Sequence, residues 1–159
     1  MYTYYMGIGS NLGDREGYLA FAVEQLCGVQ DVANVEHSSW IETPPLGPVE
    51  QGPFLNGILK VQSSLEPLIM LEIILHIERL AGRQRDIHCG PRTLDLDIVC
   101  IEDEAGQCVE VHTQKLVVPH PYFWERQFVL EPLQEVYPTF NYEGVSIASR
   151  LDTLRVLES

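Results

Sequence analysis

Residues 54–82 read FLNGILKVQSSLEPLIMLEIILHIERLAG, and within this stretch the apolar rhythm changes once. Phe54 to Ser63 reads as a strand, with Phe54, Ile58 and Val61 among its apolar residues. From there Leu68, Leu71, Ile74, Leu75 and Ile77 recur at helical spacing, with Ser64 as the cap, Pro67 in the first turn and Gly82 as the stop. Downstream, a loop from Arg83 to Pro91 leads into a strand over Leu94–Ile101. Acidic residues and Gly106 then suggest a hairpin returning at about Val109. Upstream, Tyr2 to Ile8 is aromatic and β-branched and reads as a strand ending at Gly9-Ser10-Asn11. Asp14 caps a helix running to about Cys27, and Val32 to Glu42 suits another strand. Three prolines in Thr43-Pro44-Pro45-Leu46-Gly47-Pro48 remove donors and fix φ, which excludes regular structure there.

The resulting order is β-α-β-β-α-β. That order predicts an α+β, ferredoxin-like architecture: an antiparallel sheet with both helices on one face. The tail adds a short helix around Tyr122–Leu130 and a terminal helix capped near Ser146. With 159 residues and no linker, repeat or low-complexity segment, residues 1–159 read as one domain.

Formal net charge is −13, from 10 basic against 23 acidic residues, which argues against binding nucleic acid or anionic membrane through a basic surface. Cys27, Cys89, Cys100 and Cys108 form no C-x-x-C pair, so a zinc site is not expected and reduced thiols are. The first residues lack the basic and apolar regions of a signal peptide, and no apolar run is long enough to span a membrane. A cytoplasmic protein is the expectation.

Residues 90–98, Gly-Pro-Arg-Thr-Leu-Asp-Leu-Asp-Ile, carry the chemistry. On a strand Asp95 and Asp97 share one face, about 6–7 Å apart, while Leu94, Leu96 and Ile98 take the other. Alone, such alternation marks the wet side of an antiparallel strand. Arg83, Arg85 and Arg92, with Arg79 just before them, change that reading. In so acidic a chain they complement a carboxylate pair that holds hard cations through oxygen, and together they suit a phosphate-bearing substrate. Gly7-x-Gly9-x-x-x-Gly13 is one residue too long for a dinucleotide fingerprint, so these glycines read as serving a tight turn. The proline loop, flanked by Trp40, Phe54 and Asn56, could present backbone groups to a flat polar heterocycle. His120, Phe128 and Glu78 each have an ordinary structural reading as loop, core and helix-surface residues.

Taken in order, Gly9-Ser10-Asn11-Leu12, Thr43-Pro44-Pro45-Leu46-Gly47-Pro48, Phe54-Leu55-Asn56, the 90–98 run, Val118-Pro119-His120, Arg126 and Phe128 resemble the 6-hydroxymethyl-7,8-dihydropterin pyrophosphokinase family. The resemblance implies transfer of the β,γ-diphosphate of ATP to the hydroxymethyl group of the dihydropterin, with release of AMP. It implies two Mg²⁺ ions held by Asp95 and Asp97, and Arg83 and Arg92 on a loop closing over the triphosphate. The pterin would lie between Phe54 and Phe128, its edge read by Asn56, Thr43, Pro44, Pro45 and Leu46, with Gly9 allowing close approach. Glu78, Arg85, Arg92, Ile98, Lys115, His120 and Arg126 would form the nucleotide side. Leu75, Asp86, Cys89, Pro121 and Tyr122 depart from the family pattern. The competing readings are a catalytically weak pterin- or nucleotide-binding module of the same fold and, last, another metal-dependent nucleotidyl transferase.

Overall fold

The computed structural model describes residues 1–44, 52–82 and 93–158. Four long segments build the main sheet: β1 (Tyr2–Ser10), β2 (Val32–His37), β4 (Phe54–Ser63) and β5 (Asp95–Glu102), in the spatial order β2-β4-β1-β5. All neighbours are antiparallel, and a short β3 (Ile41–Thr43) continues the outer edge along β4. Between them run α1 (Arg15–Cys27) and α2 (Pro67–Leu80). The sequence order and the interleaved strands agree with the α+β expectation.

Parity explains the layering. Tyr4, Met6 and Ile8 of β1 and Leu55, Leu59 and Val61 of β4 point to one side, where Leu19, Ala22 and Leu26 of α1 and Met70, Ile74 and Ile77 of α2 cover them. The opposite face carries Tyr5, Ile58, Val99 and Cys100. It is covered by α3 (Gln127–Val136) and α4 (Ile147–Glu158) through Leu130, Leu133, Ile147 and Leu151. The tail therefore closes the face that two helices alone would leave wet. Each fully buried side chain of these two cores contributes roughly 1.5–3 kcal/mol.

Several boundaries move for physical reasons. The stretch 32–42 is two strands, because Ser38 interrupts it: its Oγ accepts the Ile58 N–H and donates to the Ser39 carbonyl, both at 2.9 Å. Between the pairs His37↔Leu59 and Ile41↔Asn56 the outer edge spends one residue more than β4. The slack lets Trp40 fold over Gly57, where a Cβ would sit 2.5 Å from the indole ring. The α2 cap is Glu66 rather than Ser64, since Pro67 occupies the first helical position and fixes the start one residue before it. After β5 the chain turns back at Gly106 as expected, through a Glu102↔Cys108 bridge and a bond from the Val109 N–H to the Ile101 carbonyl at 2.8 Å, though without a long return strand. The chain then makes a separate ladder of β6 (Val111–His112) and β7 (Val117–Val118). The expected 122–130 helix is a 3-10 turn (Phe123–Glu125) followed by α3, broken where Arg126 takes extended angles, φ −115° and ψ 106°. Before α4 a hairpin of β8 (Asn141–Tyr142) and β9 (Val145–Ser146) had no strand-like signal in the sequence. Asp14 caps α1 as expected, accepting the Gly17 N–H at 3.1 Å, and Ser146 does the same for Ser149 in α4.

Candidate active site

The site begins with a row across three strands. Asn56 of β4 faces Gly9 of β1, and Gly9 faces Asp95 of β5; one step along, Gly7 faces Asp97. Glycine in the middle strand leaves no side chain above the sheet between Asn56 and the aspartates. A Cβ on Gly9 would stand 2.5 Å from Asn56 Oδ1, so any larger residue here must push that amide aside. Gly7 and Gly9 thus lie inside β1 and floor a cavity. The turn for which they were read is made by Gly13, at φ +73°.

The cavity holds about 420 Å³ and opens on the face that α3 and α4 cover. One wall is Thr43, Pro44, Phe54 and Asn56, where Asn56 Nδ2 donates to Thr43 Oγ1 at 2.5 Å. The other wall comes from the chain just past β7: His120, Tyr122, Phe123, Arg126, Phe128 and Val129. Asp95, Asp97 and Val99 border it along β5. The Arg126 guanidinium lies 5.6 Å from the Tyr122 ring centre and 5.7 Å from that of Phe128, so three flat groups form one rack.

His120 is pinned to β5 by its N–H, which donates to the Val99 carbonyl at 2.8 Å. Its Nδ1 accepts the Tyr122 N–H at 3.2 Å, which assigns the proton of the neutral ring to Nε2. Burial holds its pKa below 6.5 and the Arg126 charge adds to that, while the Asp95 carboxylate pulls the other way. A neutral imidazole with an Nε2–H donor is the form this setting favours near neutral pH.

A second cavity of about 700 Å³ lies on the far side of Asp97 and His120, which border both. Leu68, Leu71 and Leu75 of α2, with Leu96 and Ile98 of β5, give it an apolar side. Lys115, Leu116 and Val117 form the other, with Glu72 and Gln114 at its polar margin.

Most of the residues singled out in the sequence therefore converge. Gly9, Thr43, Pro44, Phe54, Asn56, Asp95 and Phe128 line the first cavity, Ile98 and Lys115 the second, and Asp97 and His120 stand between them. Arg126, expected on the nucleotide side, lies in the first cavity against Tyr122 and Phe128. Glu78 borders neither. It is 1% exposed, and its Oε2 accepts the Leu96 N–H at 2.8 Å. β5 is the outer strand, so an N–H on its far side has no ladder partner, and the carboxylate supplies one. Pro45, Leu46, Arg83, Arg85, Arg92, Asp86 and Cys89 lie outside the described residues. Tyr122, Phe123, Val129 and Gly7 were not assigned to the site from sequence. The aromatic run Tyr122-Phe123-Trp124 after His120 was the available signal for the first two.

Among the described residues no group of three or more His, Cys, Asp and Glu side chains is arranged to hold a metal. Asp95 and Asp97 nevertheless fit Mg²⁺, which is typically bound by one or two carboxylates and completes its shell with water and substrate phosphate oxygens.

The fold is α+β, and two adjoining cavities on it meet at a carboxylate and an imidazole. Comparison with known proteins narrows the class. Residues 5–138 match the model of the 7,8-dihydro-6-hydroxymethylpterin-pyrophosphokinase family. The chain is 40% identical over 152 residues to the 2-amino-4-hydroxy-6-hydroxymethyldihydropteridine pyrophosphokinase of Bacillus subtilis, covering 96% of this chain and 88% of that protein. It is 37% identical to the enzyme of the same name from Methylorubrum extorquens, covering 94% and 92%. In fold it is similar to the Plasmodium falciparum HPPK-DHPS structure with pterin and p-hydroxybenzoate. The TM-score is 0.70 at 15% identity, over 99% of this chain and 44% of that one. The chain belongs to the 7,8-dihydro-6-hydroxymethylpterin pyrophosphokinase family.

Proposed function

We propose that residues 1–159 form one domain that transfers the β,γ-diphosphate of ATP to the hydroxymethyl oxygen of 6-hydroxymethyl-7,8-dihydropterin, in the folate pathway, and releases AMP. The observation that carries this reading is the position of Asp97 and His120 at the junction of two cavities, one aromatic-walled and one aliphatic. The pterin occupies the first, its faces against Phe54 and Phe128 and its edge toward Asn56 and Thr43. A ring that failed to match that edge would leave buried donors or acceptors unpaired, which is the source of selectivity. The adenosine end of ATP occupies the second, against Leu71, Leu75 and Ile98, with Lys115 toward the phosphates.

Asp95 and Asp97 would hold two Mg²⁺ ions against the triphosphate oxygens. Bound there, the metal neutralises phosphoryl charge and steadies the developing charge on the leaving AMP oxygen. The chain's own groups do the rest. The cavity walls align the pterin hydroxyl with the β-phosphorus, the new O–P bond forms there as the hydroxyl proton passes to water, and the bond from the β-phosphorus to the α,β-bridging oxygen breaks, freeing AMP. His120 offers its Nε2–H to a phosphate oxygen without adding charge of its own. Arg83, Arg85 and Arg92, in the sequence between α2 and β5, would contribute guanidinium groups.

The reaction belongs in the cytoplasm, where ATP is available, and no helix among the described residues is long and apolar enough to cross a membrane. Neither nucleic acid nor a lipid surface is a partner in this reading. Phosphorus NMR of a mixture of protein, ATP, Mg²⁺ and the hydroxymethyl-dihydropterin tests the proposal. AMP and the pterin diphosphate are the expected products. ADP in place of AMP contradicts diphosphoryl transfer, and tight pterin binding without turnover supports the binding-module alternative.

A further inference from the structure

Helix α4 lies beyond residues 5–138, the stretch that the family model matches, and it still reaches the cavity wall. Ile147, Leu151 and Leu154 bury against α3 and Phe123. Beside them Arg150, half-buried, donates from Nε to the Trp124 carbonyl at 2.7 Å. Trp124 is the centre of the Phe123–Glu125 turn, which joins the residues that wall the first cavity: His120 and Tyr122 before it, Arg126 and Phe128 after it.

Buried Phe123 and half-buried Trp124 anchor this turn against Phe140 and Tyr142, but its hydrogen bonds are weak. No side chain caps it, and its own backbone bonds are long: Phe123 to His120 at 3.2 Å, Glu125 to Tyr122 at 3.1 Å and Arg126 to Phe123 at 3.3 Å. Those bonds use the carbonyls of His120, Tyr122 and Phe123. The Trp124 carbonyl goes to Arg150, through a charged donor and at a shorter distance than any of them. A 3-10 turn has poorer hydrogen-bond geometry than an α-helix, so an outside bond to its backbone adds to what these rings supply.

We infer that Arg150 is a positioning residue for the aromatic wall. By holding the Trp124 carbonyl it fixes the turn and so the Tyr122–Arg126–Phe128 rack against which the flat ring binds. The inference rests on the first cavity being the pterin site. It makes the C-terminal helix part of the binding apparatus rather than a cover for the sheet alone.

The test is the dissociation constant for 6-hydroxymethyl-7,8-dihydropterin by calorimetry, with KM, kcat and melting temperature measured on the same full-length proteins. Arg150→Met keeps the aliphatic stem and removes the donors. If the competent turn then falls to about a tenth of the population, pterin Kd and KM rise roughly tenfold, while kcat at saturation stays within about threefold. Arg150→Lys, which keeps a charged donor of similar reach, returns Kd to within about threefold of wild type. Leu26→Ala empties a buried position in the opposite core, away from the turn, so it lowers the melting temperature and leaves Kd unchanged. Should Arg150→Met not fold, Arg150→Gln takes its place, with an expected rise of about threefold because a neutral donor remains. Wild-type Kd in Arg150→Met overturns the inference. So does a Leu26→Ala protein whose Kd rises as much for the same loss of melting temperature. A wild-type chain that bound no pterin would overturn the proposed function itself, and this inference with it.

Discussion

Asp95 and Asp97 at one end of β5 and Glu102 at the other are carboxylates on the same face of the same strand, and they live in different chemistry. A register shift in the β1–β5 pairing, between Tyr5 and Met6, puts both Val99 and Cys100 toward α3 and α4. Glu102 thereby joins the face of Asp97, although simple alternation would place it opposite. Across from the aspartates stand Gly9 and Gly7, which leave space. Around Glu102 stand Tyr137, whose hydroxyl donates at 2.7 Å, and Tyr5, whose hydroxyl donates at 3.4 Å. The two tyrosine rings stack at 5.1 Å. Burial, then the Glu102 bond and charge, push the Tyr137 pKa up to about 12. One carboxylate is half-buried between two tyrosines and two border a cavity, and the neighbouring strand decides which.

The contrast breaks first at Asp97. Asp97→Ala should lower kcat by about a thousandfold or more, since it removes a ligand for transition-state charge. Far-UV circular dichroism should be unchanged, because the side chain is exposed and points away from the apolar core. Collapse of the dichroism in that variant would count against the assignment. Next comes the floor. Gly9→Ala forces Asn56 aside, and an overpacked position of this kind costs roughly 1–3 kcal/mol, so pterin affinity should drop by about tenfold or more. Unchanged calorimetric affinity would mean that the ring does not sit over Gly9.

Glu102→Gln should do the reverse of Asp97→Ala. Turnover stays within about twofold, while urea denaturation shows a loss of about 1 kcal/mol from the weakened tyrosine bonds. The smallest effect is electrostatic. In proton NMR His120 should titrate below 6.5, higher in Arg126→Ala, which loses a repelling charge, and lower in Asp95→Ala, which loses an attracting one. With the folded pKa depressed, the unfolded chain binds the proton first. The stability linked to this ring is therefore full above pH 6.5 and declines as pH falls below it. Equal titration in all three proteins would separate His120 from the site.

The sequence made the alternating elements legible because each followed its own period. Phe54–Ser63, Arg15–Cys27 and the Asp95/Asp97 parity agree with the structure to within a residue or two. Where it misled, a tertiary contact overrode local pattern. Ser38 and Trp40 break the 32–42 strand to pack Gly57, and Glu78 looks like a surface acid until the unpaired Leu96 N–H is seen beside it. Arg150 offered no signal at all, since its partner is a backbone carbonyl 26 positions away. Gly7 and Gly9 were visible as glycines, but their use as the floor of a cavity depends on strands that pair only in three dimensions.

Manganese binding, followed by electron paramagnetic resonance in the presence of a non-hydrolysable ATP analogue, probes the acidic ledge most directly. Wild-type protein should take up two ions per chain, and Asp95→Asn or Asp97→Asn should lose this uptake while still binding the pterin. If both variants hold manganese as tightly as wild type, the strand does not bind the metal and the account of the site is wrong.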